Sequence, residues 1–349
     1  MRGAHYATFK IVSVLVLAAV FTFAGCTFRS TSVSASVERR LKARGVTAEK
    51  IGLKIPDVSG RSEMRLFSSN LTPEPVVIPM ESSYGGLPSL RVRFNDAAPF
   101  RMIADTGAQL CVVGPKRALD AKAMVYASEE IPIRVTGIGG EEKAWLARFE
   151  HVNIGPMKLR GLVAVLRREK TELCCAGLPV GEYEVNLLGS PVIAGFRHVT
   201  FDYAASRFVF SPGTSFAPAK GAHRIPLTVR ENLFYIPLRI GKHTISALVD
   251  TGATDQIFLN EKLVRSWNLD RMAKGGGTYR AVGLGGIHSG RTFNIPLAFI
   301  GDTPVRDVAV DTSSGVWQAR IGSDLLKNWR VTFDFEHGAL WLESNGHSN

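Results

Sequence analysis

Cysteine is scarce in this chain, with four among 349 residues, at Cys26, Cys111, Cys174 and Cys175. That is too few for a disulfide scaffold, and no CxxC or Cys/His spacing suggests zinc. Long hydrophobic runs are missing as well. The longest, Ile11–Phe23, has 13 residues, well short of the ~20 that a membrane-spanning helix needs. Acidic residues are outnumbered, 31 against 42 Lys and Arg, giving a net charge of +11. The excess of positive charge could suggest nucleic acid, but no recognition motif accompanies it. Neither GxSxG nor HExxH occurs, and no histidine is placed by motif to activate a cysteine, so three common hydrolytic chemistries lack support. What is present is an ordinary globular composition, 45% hydrophobic and 21% charged, with 34 Gly and 17 Pro. At about 100–200 residues per domain the chain should hold two domains. Disordered, collagen-like, zinc-finger and polytopic membrane classes are excluded.

Residues 1–26 read as a targeting segment. Arg2, His5 and Lys10 make a positive start, and Ile11–Phe23 is an apolar stretch of signal-peptide length. It ends in Phe23-Ala24-Gly25-Cys26, which resembles the bacterial lipoprotein lipobox, with Phe23 where Leu is usual. The resemblance implies export, lipidation of Cys26 and a membrane partner held through the lipid. Each buried CH₂ of such a lipid contributes about 0.8 kcal/mol, so several acyl chains anchor a domain without a spanning helix. Thr27 differs from the Asp that retains lipoproteins at the inner membrane of enteric bacteria, which favours the outer membrane on the periplasmic side. Residues 27–73 read as a tether. Within it, Val37–Arg44 (VERRLKAR) is expected to form a short basic helix, lying against anionic headgroups or simply solvated.

The most informative feature is an internal repeat. The first copy runs from Ile78-Pro79 through Leu90–Phe94 to Asp105-Thr106-Gly107-Ala108. The second runs from Ile225-Pro226 through Tyr235–Ile240 to Asp250-Thr251-Gly252-Ala253. Downstream, Gly137-Ile138-Gly139-Gly140 matches Gly283-Leu284-Gly285-Gly286, lying 34 and 35 residues after the respective aspartates when counted to Gly139 and Gly285. Leu188-Gly189-Ser190 matches Ile321-Gly322-Ser323, and Arg197–Tyr203 matches Trp329–Phe335. The first copy carries 12 extra residues, expected around 167–186. The runs between landmarks are short, rich in Val, Ile, Leu, Phe and Thr, and punctuated by Gly and Pro. That pattern predicts strands of about 5–6 residues joined by tight turns. Helical periodicity is brief, as at Glu261–Trp267. The fold class is therefore all-β.

A single Asp on a tight loop is ordinarily a turn-former, because its side chain caps backbone N–H groups. Two such loops on repeated lobes allow the carboxylates to face each other across a pseudo-twofold axis. At about 3 Å two carboxylates cannot both ionise easily, so the pair holds one proton. The ionised member can take a proton from water while the protonated one donates to a carbonyl oxygen, with no covalent intermediate, no cofactor and no metal.

On these residues the sequence resembles the retropepsin/pepsin class of aspartic peptidases, specifically its bacterial retropepsin-like members, over roughly residues 76–343. The resemblance implies two retropepsin-like β-barrel lobes with a cleft between them, divided as residues 74–215 and 216–345. It makes Asp105 and Asp250 the catalytic pair of an aspartic endopeptidase. Thr106 and Thr251 would bond across the loops, and Gly107 and Gly252 would let backbone approach the carboxylates. Ala108 and Ala253 offer no hydroxyl to the dyad, which suggests a working pH nearer neutral than pepsin's. The elements Leu187-Leu188-Gly189 and Arg320-Ile321-Gly322 would buttress the loops, with Arg320 standing where an apolar residue is expected. The two glycine turns would be the tips of flaps, although a plain hairpin turn uses Gly-Gly equally well.

The partner implied is an extended polypeptide substrate, bound by a monomer whose lobes pair within one chain, with no nucleic acid. Pairing between chains is the alternative geometry. The alternative function is an envelope lipoprotein that keeps the fold and binds a peptide or partner without cutting it. A third reading, cleavage of peptidoglycan cross-link peptides, fits poorly because their D-amino acids suit an extended L-peptide cleft badly. Cys111 is expected to be a buried thiol, with a bond to Cys174 or Cys175 as the alternative. His288 is expected to face solvent in a loop beyond the second glycine turn.

Overall fold

The computed structural model describes residues 9–12, 26–51, 68–69, 71–128, 133–137, 140–175, 178–283, 286–314 and 318–345. The described chain is dominated by strands, and its helices are short. Alternation of apolar and polar residues places the strands. In Pro88–Phe94, Leu90, Val92 and Phe94 point inward while Arg91 and Arg93 point to solvent.

In the first lobe Pro88–Phe94 pairs with Phe100–Asp105, which pairs with Leu187–Gly189, then Cys111–Val113, Met157–Arg167 and Gly140–Ile154. The ring closes where Val92–Phe94 meets Val152–Ile154. The second lobe repeats the order with Leu233–Ile240, His243–Asp250, Arg320–Gly322, Ile257–Asn260, Thr303–Ser313 and Gly286–Ile300. It closes where Leu238–Arg239 meets Phe299–Ile300. Each lobe is thus a closed six-stranded barrel, which leaves no free edge in the ring.

The two halves are joined by a six-stranded sheet to which each contributes three strands. Its order is His223–Pro226, Ala339–Ser344, Trp329–Asp334, His198–Asp202, Arg207–Ser211 and Val76–Pro79. At its centre Thr200 lies opposite Thr332, with their hydroxyl oxygens 2.8 Å apart. Phe201, Phe208, Phe234 and Phe333 are fully buried. Phe333 links the halves, with ring centroids 5.5 Å from Phe201 and 5.4 Å from Phe234.

The additional residues of the first copy form a hairpin, Glu169–Cys175 with Leu178–Tyr183, and its first strand pairs with Cys26–Ser32. The stretch expected as a tether is partly docked. The helix falls at Ala35–Lys42, capped by Ser34, and buries Leu41. Arg44 donates to the carbonyls of Lys122 and Ala123 at 2.7 and 2.9 Å, and Ile51 is fully buried in the first lobe. Leu41 and Ile51 supply the apolar surface that a solvated linker lacks, so residues 35–51 pack rather than float. The motif residues Phe23, Ala24 and Gly25 lie outside the described residues.

Candidate active site

Asp105 ends the strand Phe100–Asp105, and Asp250 ends His243–Asp250. Both strands are clamped by a parallel neighbour. Gly189 lies opposite Asp105, and Gly322 lies opposite Asp250. The loop that follows each aspartate is then tied down at its far end. Ser190 donates its N–H and its hydroxyl to the Ala108 carbonyl at 2.9 and 2.8 Å. Ser323 does the same for Ala253 at 2.7 and 2.6 Å.

The loops also hold each other. Thr106 N–H donates to Thr251 Oγ1 at 3.1 Å, and Thr251 N–H donates to Thr106 Oγ1 at 3.0 Å. Each threonine hydroxyl then donates onward to the carbonyl preceding the opposite aspartate, Val249 and Ala104, both at 2.6 Å. All four groups are buried, where losing one partner costs about 1–3 kcal/mol. The geometry of one loop is therefore set by the other.

The carboxyl groups meet over this lattice. Gly107 N–H donates to Asp105 Oδ1 at 2.8 Å, and Gly252 N–H donates to Asp250 Oδ1 at 3.0 Å. The Oδ2 atom of each aspartate finds no hydrogen-bond partner among the described residues. A Cβ at Gly107 would sit within 2.7 Å of the whole Asp250 carboxyl group, and one at Gly252 would collide with Asp105 in the same way. Only glycine permits this approach. Both aspartates are 0% exposed. Burial pushes both above the ordinary carboxylate range, and each acts on the other, so the pair titrates as a unit.

Beside the dyad the two lobes differ. Leu187 in the first lobe is matched by Arg320 in the second, because they pair with Ile103 and Leu248 in equivalent strands. Leu110 is matched by Asp255, since their backbones face Gly189 and Gly322 respectively. Leu110 and Leu187 belong to an apolar cluster. Asp255 and Arg320 instead form a buried ion pair, with Nε to Oδ2 at 2.9 Å and a second contact from Nη2. Arg320 therefore packs as the residue at its position should, with its charge answered by Asp255. Sequence reasoning flagged Arg320 but missed Asp255. The signal was available as a joint departure at matching positions of the two copies.

The glycine turns end hairpins in both lobes, with Gly137 opposite Gly140 and Gly283 opposite Gly286. Ile138, Gly139, Leu284 and Gly285 lie outside the described residues. The first hairpin brings Ile133 and Val135 into the cluster that contains Ala108 and Leu110. The second brings Tyr279 and Ala281 onto Ala253 and Phe258. Each hairpin therefore packs against the aspartate loop of its own lobe.

His288 lies in a strand rather than a loop, opposite Ala281, and is partly buried. Its Nε2 is 3.4 Å from the Tyr279 hydroxyl, and burial lowers its pKa to about 4. The aromatic neighbour and the strand register turn it inward. Cys111 is a buried free thiol whose Sγ accepts the Gly189 N–H at 3.3 Å, and burial pushes its pKa up to about 12. Cys174 is also free while Cys175 is disulfide-bonded, so Cys111 bonds neither Cys174 nor Cys175.

The family model for aspartyl proteases matches residues 90–192, which hold the first aspartate loop and its clamping strand Leu187–Gly189. That stretch is similar to aspartyl proteases, and Asp250 lies beyond it. No curated protein matches the chain.

Proposed function

We propose that the chain is an aspartic endopeptidase in which a water activated by Asp105 and Asp250 hydrolyses the peptide bonds of an extended polypeptide. The observation that carries this is the mutual tie of the two aspartate loops: paired Thr–Thr bonds hold two buried carboxyl groups so close that each loop admits only glycine beside the other's carboxyl group. A turn-forming aspartate needs no second aspartate, and no such lattice. The likeness of residues 90–192 to aspartyl proteases supports a protease function.

In this reading the lobes are residues 74–215 and 216–345, products of one duplicated unit, and the two hairpins are flaps. They must open, because both aspartates are shut off from solvent. Cys26 carries the lipid that holds the protein on the periplasmic side of an envelope membrane, with the outer membrane favoured by Thr27.

The same shut dyad favours the second reading, a lobe pair that grips a peptide or partner without cutting it. Incubating residues 27–349 with a pooled peptide library across pH 3–8 separates the two. New termini found by mass spectrometry support the peptidase. Peptides retained intact by a folded protein, with no cut at any pH, support the binding protein.

A further inference from the structure

Two lobes of one topology should present equal surroundings to their aspartates, and a symmetric pair gives no preference for which member holds the proton. Arg320 breaks that symmetry. Its Nε lies 3.9 Å from Asp250 Oδ2, the oxygen without a hydrogen-bond partner, and Arg320 is itself 1% exposed. Its guanidinium stacks on Phe258 at 4.5 Å, and Nη1 has no partner among the described residues. On the Asp105 side the matching positions are Leu187, Leu110 and Val112, all apolar and buried.

We propose that Arg320, held in place by Asp255, is a positioning residue that puts the negative charge of the carboxyl pair on Asp250 and leaves the shared proton on Asp105. A fixed cation near one carboxylate favours the charged form of that group over its twin. This rests on the endopeptidase reading for its consequence in catalysis. Asp250 takes a proton from water as the water oxygen bonds to the scissile carbonyl carbon. The carbonyl π electrons move to its oxygen, which takes the proton from Asp105. A neutral gem-diol results, and the pair still holds one proton, now on Asp250.

Other charges face this corner. Tyr279 and His288 on the second hairpin and Asp311 on the strand Thr303–Ser313 all feel Arg320, and Asp324 acts on Asp311 from the helix behind. Burial keeps Tyr279 and His288 uncharged at neutral pH. Asp311, raised to about 6, is the neighbour whose titration overlaps the dyad's and needs its own control, Asp311→Asn. On the other side the neutral Cys111 thiol faces Asp105. Of the ion pair's two charges, the guanidinium acts more strongly than Asp255 on Asp250. It lowers Asp105 as well, and Asp105 in turn raises Asp250, so the placement of the charge rests on the 3.9 Å approach of Arg320 to Asp250.

The test is a carboxyl ¹³C NMR titration of aspartate-labelled protein, with Asp105 and Asp250 assigned by D105N and D250N. It requires no substrate. In the native protein the carboxylate shift should develop on Asp250 first, while Asp105 keeps the shift of a carboxylic acid. In the double variant Asp255→Leu/Arg320→Leu, which copies the first lobe's own Leu110/Leu187 pair, the first ionisation should rise by about one pH unit and divide between both aspartates. Asp255→Asn frees the guanidinium and should move it the other way, which serves as the second arm if the leucine pair does not fold. Arg320→Lys should restore the native order in part. Asp105 ionising first, or titrations unchanged in both arms, would overturn the proposal. Failure of the endopeptidase reading looks different: the order of ionisation holds, yet no peptide is cut.

Discussion

Thr200 and Thr332 occupy matching positions of the repeat, and they face each other across the central sheet with hydroxyl oxygens 2.8 Å apart. A pseudo-twofold axis therefore passes between them. The same axis passes between Thr106 and Thr251, which exchange equivalent bonds over the carboxyl pair. The sheet that joins the halves and the lattice that joins the aspartate loops are two levels of one symmetric assembly. Alignment of the carboxyl groups is thus fixed by the whole interface between the halves, not by the loops alone.

Gly107→Ala tests that alignment. The added Cβ meets the Asp250 carboxyl group within 2.7 Å, so one aspartate must shift while the barrels stay intact. Near-native circular dichroism with peptide cleavage reduced by about 100-fold is expected, the effect of misplacing a reacting group by roughly 1 Å. Full activity in the variant would mean that the two loops do not approach as described.

Asp105→Asn tests the burial of the pair through stability. The folded state raises both carboxyl pKa values above the unfolded 3.8. The stabilising neutral form is therefore fully present below that value and is lost as pH rises toward the folded one. Asparagine is uncharged throughout, and Asp250 keeps its cation. In urea unfolding the variant should gain on the native protein as pH goes from 4 to 8, by roughly 1–3 kcal/mol at the upper end. A difference that does not change with pH would contradict a raised pair.

Much of this was legible before any coordinates. The two Asp-Thr-Gly-Ala motifs and the order of their landmarks located both loops, both clamping strands and both hairpins, because each landmark is a local feature repeated at a fixed spacing. The periodicity at Glu261–Trp267 corresponds to the helix Glu261–Ser266, with Trp267 as its C-cap. What escaped was non-local. Asp255 and Arg320 are 65 residues apart and become partners only when Ile257–Asn260 and Arg320–Gly322 pair. Ser190 and Ser323 stood in the repeat as landmarks, but the carbonyls they hold belong to residues 82 and 70 positions earlier. His288 differs from the expected solvent-facing loop residue because the strand resumes at Gly286, immediately after the glycine turn. The docking of residues 35–51 escaped because the stretch is basic, and the partners of its fully buried Leu41 and Ile51 lie far along the chain.

Ile51→Ala tests that docking. Ile51 is fully buried in a cluster with Ala108, Leu110 and Leu187, so truncation should cost about 2–5 kcal/mol if the segment is part of the folded unit. An unfolding midpoint equal to that of the native protein would show the segment to be detached.

The fate of Cys26 is open to a mass measurement. The protein purified from cell membranes should begin at Cys26 and carry the added mass of a thioether-linked lipid. Cys175 is disulfide-bonded while Cys111 and Cys174 are free, and the strand register sets Cys26 opposite Cys175, so a Cys26–Cys175 disulfide is the competing outcome. Finding that disulfide, or an unmodified Cys26, would contradict anchoring at this residue.

The central claim is that the two aspartates act as one group. It is tested most directly by cleavage rates of Asp105→Asn and Asp250→Asn, each measured beside the native protein at high dilution on the same peptide. Loss of cleavage in both variants, with folding retained and no recovery when the two are mixed, is the predicted result. Cleavage surviving in either variant would contradict a shared carboxyl pair.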